Sequence, residues 1–133
     1  MLTHVEHIGI AVFSLSEAEA RWTSLLGVGP YKKEEVASEG VNTLFYLVGS
    51  TKIELLESTQ ADGPIALFLE KRGEGIHHTA FLVENIRESM ERLAGEGFRL
   101  LSSEPRSGAD NKWVCFLHPK SANGVLVELC QSK

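Results

Sequence analysis

The sequence predicts an α+β fold in which a βαβββ module occurs twice. A short apolar run that begins with a histidine, His7–Val12, returns with the same length at His78–Val83. Each run is followed by a helix-start signature and a helical pattern. The distance from the histidine to this signature is the same in both copies. The last predicted strand of each copy then carries one glutamate among aliphatic residues. Repetition of this kind predicts two modules of one architecture, each of about 65 residues.

A helix is predicted after each histidine-led strand. Ser14 stands three residues before Glu17, and Asn85 stands three residues before Glu88, which is the spacing of a capped helix N-terminus. The apolar residues that follow recur at helical spacing, so we expect each helix to bury one face. These expected faces are Ala18, Trp22, Leu25 and Leu26 in the first helix, and Ile86, Met90 and Leu93 in the second.

Three strand candidates follow each predicted helix. They are Tyr31–Ala37, Asn42–Val48 and Lys52–Glu57 in the first copy, and Phe98–Ser102, Lys112–His118 and Gly124–Cys130 in the second. A short helix between the copies begins at Pro64, a favoured first position, and stops at Gly73. We therefore expect one domain over residues 1–133, with repeat one at about 1–62, a linker helix at about 64–72 and repeat two at about 74–133.

Composition excludes several classes of protein. Lys and Arg number 13 against 18 Asp and Glu, and this net charge of −5 lacks the basic footprint of a nucleic-acid binder. Neither a signal-peptide pattern nor a membrane-length apolar run is present, so we expect a cytoplasmic protein that binds no membrane. Cys115 and Cys130 form no CxxC pair and lie in apolar runs, which predicts small buried side chains.

Four polar side chains lie in strands where a packed core would disfavour them. They are His7 and Glu54 in the first copy, and His78 and Glu128 in the second. One such histidine is usually structural, and one such glutamate is usually solvated at a sheet edge. Their recurrence at matched positions instead favours a metal site, because a buried carboxylate needs a cation. Two imidazoles and two carboxylates suit a borderline divalent metal that keeps positions open for substrate.

The remaining histidines are weaker candidates. His77 lies beside His78 but on the opposite face of the strand. His4 is near the terminus, and His118 precedes Pro119 in a turn. We expect the last two to be structural or surface residues.

At these positions the sequence resembles the vicinal oxygen chelate superfamily, which includes glyoxalase I, extradiol dioxygenases and bleomycin-resistance proteins. The resemblance covers essentially the whole chain and implies paired βαβββ modules that form a curved, metal-binding sheet. Within the superfamily, the sequence is most similar to the methylmalonyl-CoA epimerases. The motifs that carry this similarity are Glu6–Val12, Lys52–Glu57, Pro64–Leu69, Gly75–Ala80 and, the longest and most specific, Phe116–Gln131.

The resemblance implies a metal-dependent isomerase of propionate metabolism, which epimerises C2 of methylmalonyl-CoA through a metal-stabilised enolate. It places the metal ligands at His7, Glu54, His78 and Glu128, names no residues for any other cofactor, and implies a homodimer. Cobalt is the metal that the family suggests, although zinc, manganese and nickel suit the same ligands. Glu128 is the first candidate for an acid/base, and Glu54, its repeat-related partner, is the second.

One position departs from the family pattern. Some epimerases have a separate catalytic glutamate where this sequence has Thr43, so the identity of the second acid/base stays open. Lys112 and Lys120 are candidates for contacts with the coenzyme A phosphates, with solvated surface lysines as the alternative. Trp113 and Phe45 are candidates for the border of the acyl pocket, with core packing as the alternative.

Other functions of the superfamily remain alternatives. Glyoxalase I acts on a glutathione hemithioacetal and uses the same His/Glu/His/Glu ligand set. A metal-free binding module fits the fold but does not need four ligands. An extradiol dioxygenase usually has two His and one Glu, so the fourth ligand argues against it.

Overall fold

The computed structural model describes residues 2–133, which contain two βαβββ modules joined by a helix. The strands are β1 (Leu2–Ala11), β2 (Lys32–Val36), β3 (Val41–Val48), β4 (Thr51–Ser58), β5 (Gly75–Val83), β6 (Arg106–Gly108), β7 (Lys112–Leu117) and β8 (Val127–Ser132). The helices are α1 (Leu15–Leu26), α2 (Pro64–Arg72) and α3 (Ile86–Gly95). The predicted α+β fold class and the linker helix are therefore confirmed. Over the described range, every helix is too short or too polar to cross a membrane.

The chain divides into two units. The first unit comprises residues 7–77, and the second comprises residues 78–133 together with those before His7. In the first unit the strand order is β2-β3-β4-β1, and only the β1–β4 pair is parallel. In the second unit the order is β5-β8-β7-β6, and only the β5–β8 pair is parallel. The assignment of residues 1–133 to a single vicinal oxygen chelate domain stays a prediction.

Helix α1 begins where the sequence predicts. The Ser14 side chain accepts a hydrogen bond from the backbone N–H of Glu17, and Gly27 takes the left-handed conformation that ends the helix. Ala18, Trp22 and Leu26 pack on the apolar face of the first sheet. Leu25 was expected on that face, which is wrong. It is 68 % exposed. The residues that contact the sheet are four positions apart, and Leu25 lies at the edge of the face that they form.

Helix α3 is built in the same way in the second unit. Asn85 accepts a hydrogen bond from the backbone N–H of Glu88 at 3.1 Å. The predicted buried face is confirmed, since Ile86, Met90 and Leu93 all lie in one core cluster. The other members of this cluster are Val83, Cys115, Leu117 and Leu129. Both cysteines are buried and unbridged, as expected.

The strand expected at Phe98–Ser102 is wrong. Only Leu100 makes a strand-like bridge there, while Phe98 and Leu100 cover the core cluster under α3. The edge strand is instead β6, whose short polar sequence gives no strand signal. A Cβ on Gly108 would lie 2.8 Å from Val114 Cγ1, so the close approach of β6 to β7 requires glycine.

Candidate active site

The first unit holds one histidine–glutamate pair. On the β1–β4 ladder Gly9 lies opposite Glu54, and His7 precedes Gly9 by two residues on the same face. His7 Nδ1 is 3.2 Å from Glu54 Oε2, and the two residues are 4 % and 3 % exposed. Because the residue opposite the glutamate is glycine, the β1 side of this carboxylate is free of side-chain bulk.

The second unit repeats this arrangement in the same register. Ala80 lies opposite Glu128 on the β5–β8 ladder, and His78 precedes Ala80 by two residues. His78 Nε2 is 3.1 Å from Glu128 Oε1, and both residues are 5 % exposed. Each module therefore brings its own predicted histidine and glutamate together, with a small residue opposite the carboxylate.

The donor chemistry of each pair fits a divalent metal ion. A carboxylate buried to this extent is stabilised in its charged form by a cation, which is either a protonated imidazole or a metal. Imidazole nitrogen and carboxylate oxygen are both ligands of borderline metals such as zinc, cobalt and manganese. Both pairs are almost completely buried, and burial strengthens the attraction between these donors and a cation.

A phenylalanine accompanies each glutamate on its other side. Phe45 on β3 lies opposite Glu54, and Phe116 on β7 lies opposite Glu128. Phe45 is fully buried, with Lys32 Nζ 5.4 Å from the centre of its ring. Phe116 meets the His78 ring edge-on at 5.5 Å. The sequence offered Phe45 as a pocket residue but missed Phe116, which an alignment of the two repeats would have found.

The modules differ at the position two residues before each phenylalanine, on β3 and β7. Thr43 on β3 is completely buried, and its hydroxyl has no hydrogen-bond partner within residues 2–133. It lies opposite Glu34 of the edge strand β2. The matching positions of the second unit are Val114 and, opposite it on β6, Arg106. Sequence reasoning missed Glu34, because β2 is a run of charged residues that resembles a solvated edge.

The other candidate residues lie away from these pairs. Lys112 is half-buried and donates a hydrogen bond to the Asp110 carbonyl, while Lys120 is exposed. Trp113 is exposed, and Lys133 Nζ lies 4.5 Å from its ring centre.

The remaining histidines have the surroundings that the sequence suggests. His118 caps a short 3-10 helix through a hydrogen bond from the backbone N–H of Lys120 to its Nδ1. His77 packs edge-on against Phe68, and His4 is exposed.

Known proteins are similar to this chain in sequence and structure along nearly its full length. The chain is 43 % identical to the ethylmalonyl-CoA/methylmalonyl-CoA epimerase of Cereibacter sphaeroides over 133 residues, covering 98 % of this chain and 99 % of that protein. It is 40 % identical to the human mitochondrial methylmalonyl-CoA epimerase over 132 residues, covering 98 % of this chain and 75 % of that protein. A methylmalonyl-CoA epimerase variant of Streptomyces coelicolor, solved in complex with 2-nitronate-propionyl-CoA, is structurally similar with a TM-score of 0.96. It is 33 % identical and covers 99 % of each chain.

The match to a protein-family model agrees with the paired modules. Residues 6–116 match the model of the Glyoxalase/Bleomycin resistance protein/Dioxygenase superfamily. This span includes the first histidine–glutamate pair, the linker helix and most of the second module. The chain therefore belongs to the Glyoxalase/Bleomycin resistance protein/Dioxygenase superfamily.

Proposed function

We propose that this chain is a methylmalonyl-CoA epimerase, an isomerase that inverts C2 of its acyl-CoA substrate. The observation that carries the proposal is the buried histidine–glutamate pair, which recurs in the same register in both modules. It is supported by the relatives, which are epimerases and align along almost the entire chain. A cytoplasmic homodimer is part of the proposal.

We propose further that His7, Glu54, His78 and Glu128 together bind one divalent metal ion, with cobalt as the first choice and zinc, manganese and nickel as alternatives. When bound, such a metal supplies Lewis acidity to substrate oxygens at which negative charge develops. The chain contributes the four donors, each almost completely buried. Removing the metal is therefore expected to abolish the reaction and leave the fold in place.

The reaction itself is a proton transfer at carbon. The hydrogen at C2 is acidic because it lies between a thioester and a carboxylate. One carboxylate of the chain removes this proton, and the C2–H electron pair moves onto the thioester to give a planar enolate. A second acid then returns a proton to the opposite side of the plane. We assign Glu128 to one side, and the sequence offers Glu54 for the other.

Substrate binding requires contacts to the coenzyme A phosphates. Lys112 and Lys120 remain our candidates for these contacts, since both lie in the second module near its turns. Charge reversal at each position is expected to raise KM for the acyl-CoA and leave kcat unchanged, because the phosphates are remote from C2.

Proton exchange at C2 tests the proposed function directly. The purified protein is incubated with methylmalonyl-CoA in deuterated water, before and after treatment with a chelator, and deuterium at C2 is followed by mass spectrometry. We expect metal-dependent incorporation together with interconversion of the two epimers. A fully metallated protein that exchanges nothing would reject the proposal. Activity on a glutathione hemithioacetal would then favour glyoxalase chemistry, and ligand binding without turnover would favour a binding module.

A further inference from the structure

A carboxylate outside the four proposed metal ligands shares their face of the first sheet. On the strands of residues 7–77, the side chains on the His7 face include only two carboxylates, Glu54 and Glu34. The neighbouring Glu57 points the other way and accepts a hydrogen bond from the backbone N–H of Leu15. Glu34 is thus the one carboxylate on this face without a proposed role.

Lys32 and Phe45 link Glu34 to the neighbourhood of Glu54. Glu34 Oε1 lies 3.4 Å from Nζ of Lys32, which in turn lies over the ring of Phe45. Phe45 is the direct neighbour of Glu54 on the ladder. The backbones of Glu34 and Glu54 are two strand spacings and two residues of register apart, or roughly 12 Å. A substrate carbon fits between two carboxylates at that separation.

The residue between Glu34 and the strand of Glu54 is Thr43, which is small and uncharged. Thr43 lies beside Glu34 on the ladder and carries no group that titrates. Its buried hydroxyl lacks a hydrogen-bond partner in the described chain and is therefore available to donate to a Glu34 carboxylate that turns towards the site. The side chain of Glu34 is 31 % exposed, so a proton that it takes up also exchanges with water.

We propose that Glu34 is the second acid/base of the epimerisation, and that Glu54 serves as a metal ligand only. This inference rests on the proposed function. Glu34 takes the proton from C2 of one epimer, the C2–H electron pair moves onto the thioester oxygen, and Glu128 donates its proton to the opposite side of C2. Glu34 is then protonated and Glu128 is ionised, so the same two residues carry out the reverse reaction. On this assignment only one of the two proposed glutamate ligands, Glu128, also takes part in proton transfer.

The test compares Glu34→Gln with Glu35→Gln. Glu35 is the next residue on β2, is exposed and lies on the other face, which makes it a matched control. Each epimer of methylmalonyl-CoA is incubated separately with each protein in deuterated water. For each, epimer interconversion, deuterium at C2 and bound metal are measured.

We expect Glu34→Gln to slow interconversion by at least about 100-fold, the usual effect of removing a positioned acid or base. Exchange at C2 should persist for the one epimer whose proton Glu128 removes, and should be lost for the other. Metal content should equal that of the wild type, and Glu35→Gln should match the wild type in every measurement. Glu34→Asp, which keeps a shorter carboxylate, should recover part of the lost rate.

Four results would overturn the assignment. Interconversion by Glu34→Gln within twofold of the wild type would show that this carboxylate takes no part. An equal loss of exchange for both epimers, or a loss of metal, would assign Glu34 a structural role instead. If the wild type itself interconverts neither epimer, the proposed function fails and the role of Glu34 fails with it.

Discussion

The two modules are alike where they hold the proposed metal ligands and unlike at the next position of the sheet. Both place a histidine, a small residue, a glutamate and a phenylalanine in one register. Two residues before each phenylalanine, the first module has Thr43 beside Glu34, and the second has Val114 beside Arg106. The likeness covers the metal ligands that we propose. The difference falls where the first module carries Glu34, the acid/base that we infer, and the second module has no carboxylate at the matching position.

The largest expected effect comes from exchanging each glutamate ligand for its amide. Glu128→Gln removes both an acid/base and an anionic ligand, so epimerisation should fall by about 10³-fold and stay low in excess metal. Glu54→Gln should lose less activity, about 10- to 100-fold, and regain most of it when metal is added, because on our assignment it removes a ligand only. Steady-state rates over a metal titration measure this difference.

The exposed Glu91→Gln on α3 is the control for the loss of one negative charge. Equal losses at Glu128 and Glu54, with the same response to metal, would mean that the two glutamates have equivalent roles. The asymmetry that we infer between the modules would then be wrong.

The Thr43/Val114 difference predicts opposite stability effects of two isosteric substitutions. Thr43→Val removes a buried hydroxyl that has no partner in the described chain, so the free energy of unfolding should rise by about 1 kcal/mol. Val114→Thr places a hydroxyl among Ala80 and Cys130, and should lower the same quantity by about 1–3 kcal/mol. Urea denaturation provides both values. A destabilised Thr43→Val protein would show that the hydroxyl is satisfied, for example by a bound water.

The helix caps predict a smaller effect that is equal in the two modules. Ser14 and Asn85 each accept a hydrogen bond from the N–H three residues later. Replacing either residue by alanine should lower the free energy of unfolding by about 1 kcal/mol. Ser24→Ala, at an exposed position later in α1, is the control and should change stability by less than about 0.5 kcal/mol. Clearly unequal cap losses would show that the repeated start signature is equivalent in sequence alone.

Features set by local pattern were predictable from the sequence. The repeated histidine, the capped helices and the mid-strand glutamates follow from spacing, and the structure pairs His7 with Glu54 and His78 with Glu128. Strand β6 was not predictable in this way. Three residues that end in glycine give no hydrophobic alternation, and the position of β6 depends on the contact of Gly108 with Val114.

The position of Glu34 on the site face could not be predicted from the sequence either, because the local pattern gives no signal for it. Its neighbours Lys32 and Lys33, and Glu35 after it, are all charged, which is typical of a solvated edge strand. Only the pairing of β2 with β3 places it beside Thr43 and on the face of Glu54. Long-range register of this kind comes from tertiary packing rather than from local propensity.

The smallest expected effect concerns Cys115, which belongs to the core cluster beneath α3. Burial raises the pKa of this thiol, and hydrogen bonds with Ser102 oppose that shift only in part. The thiolate is the reactive form, so native Cys115 should react with a disulfide reagent at neutral pH only as fast as the protein unfolds. Because the pKa is raised in the fold, the thiol contributes stability below about pH 8.5 that is lost as the pH rises further. A Cys130→Ala protein isolates this site, with the same protein in denaturant as the reactive control. Rapid labelling of the native form at neutral pH would show that solvent reaches the core of the second module.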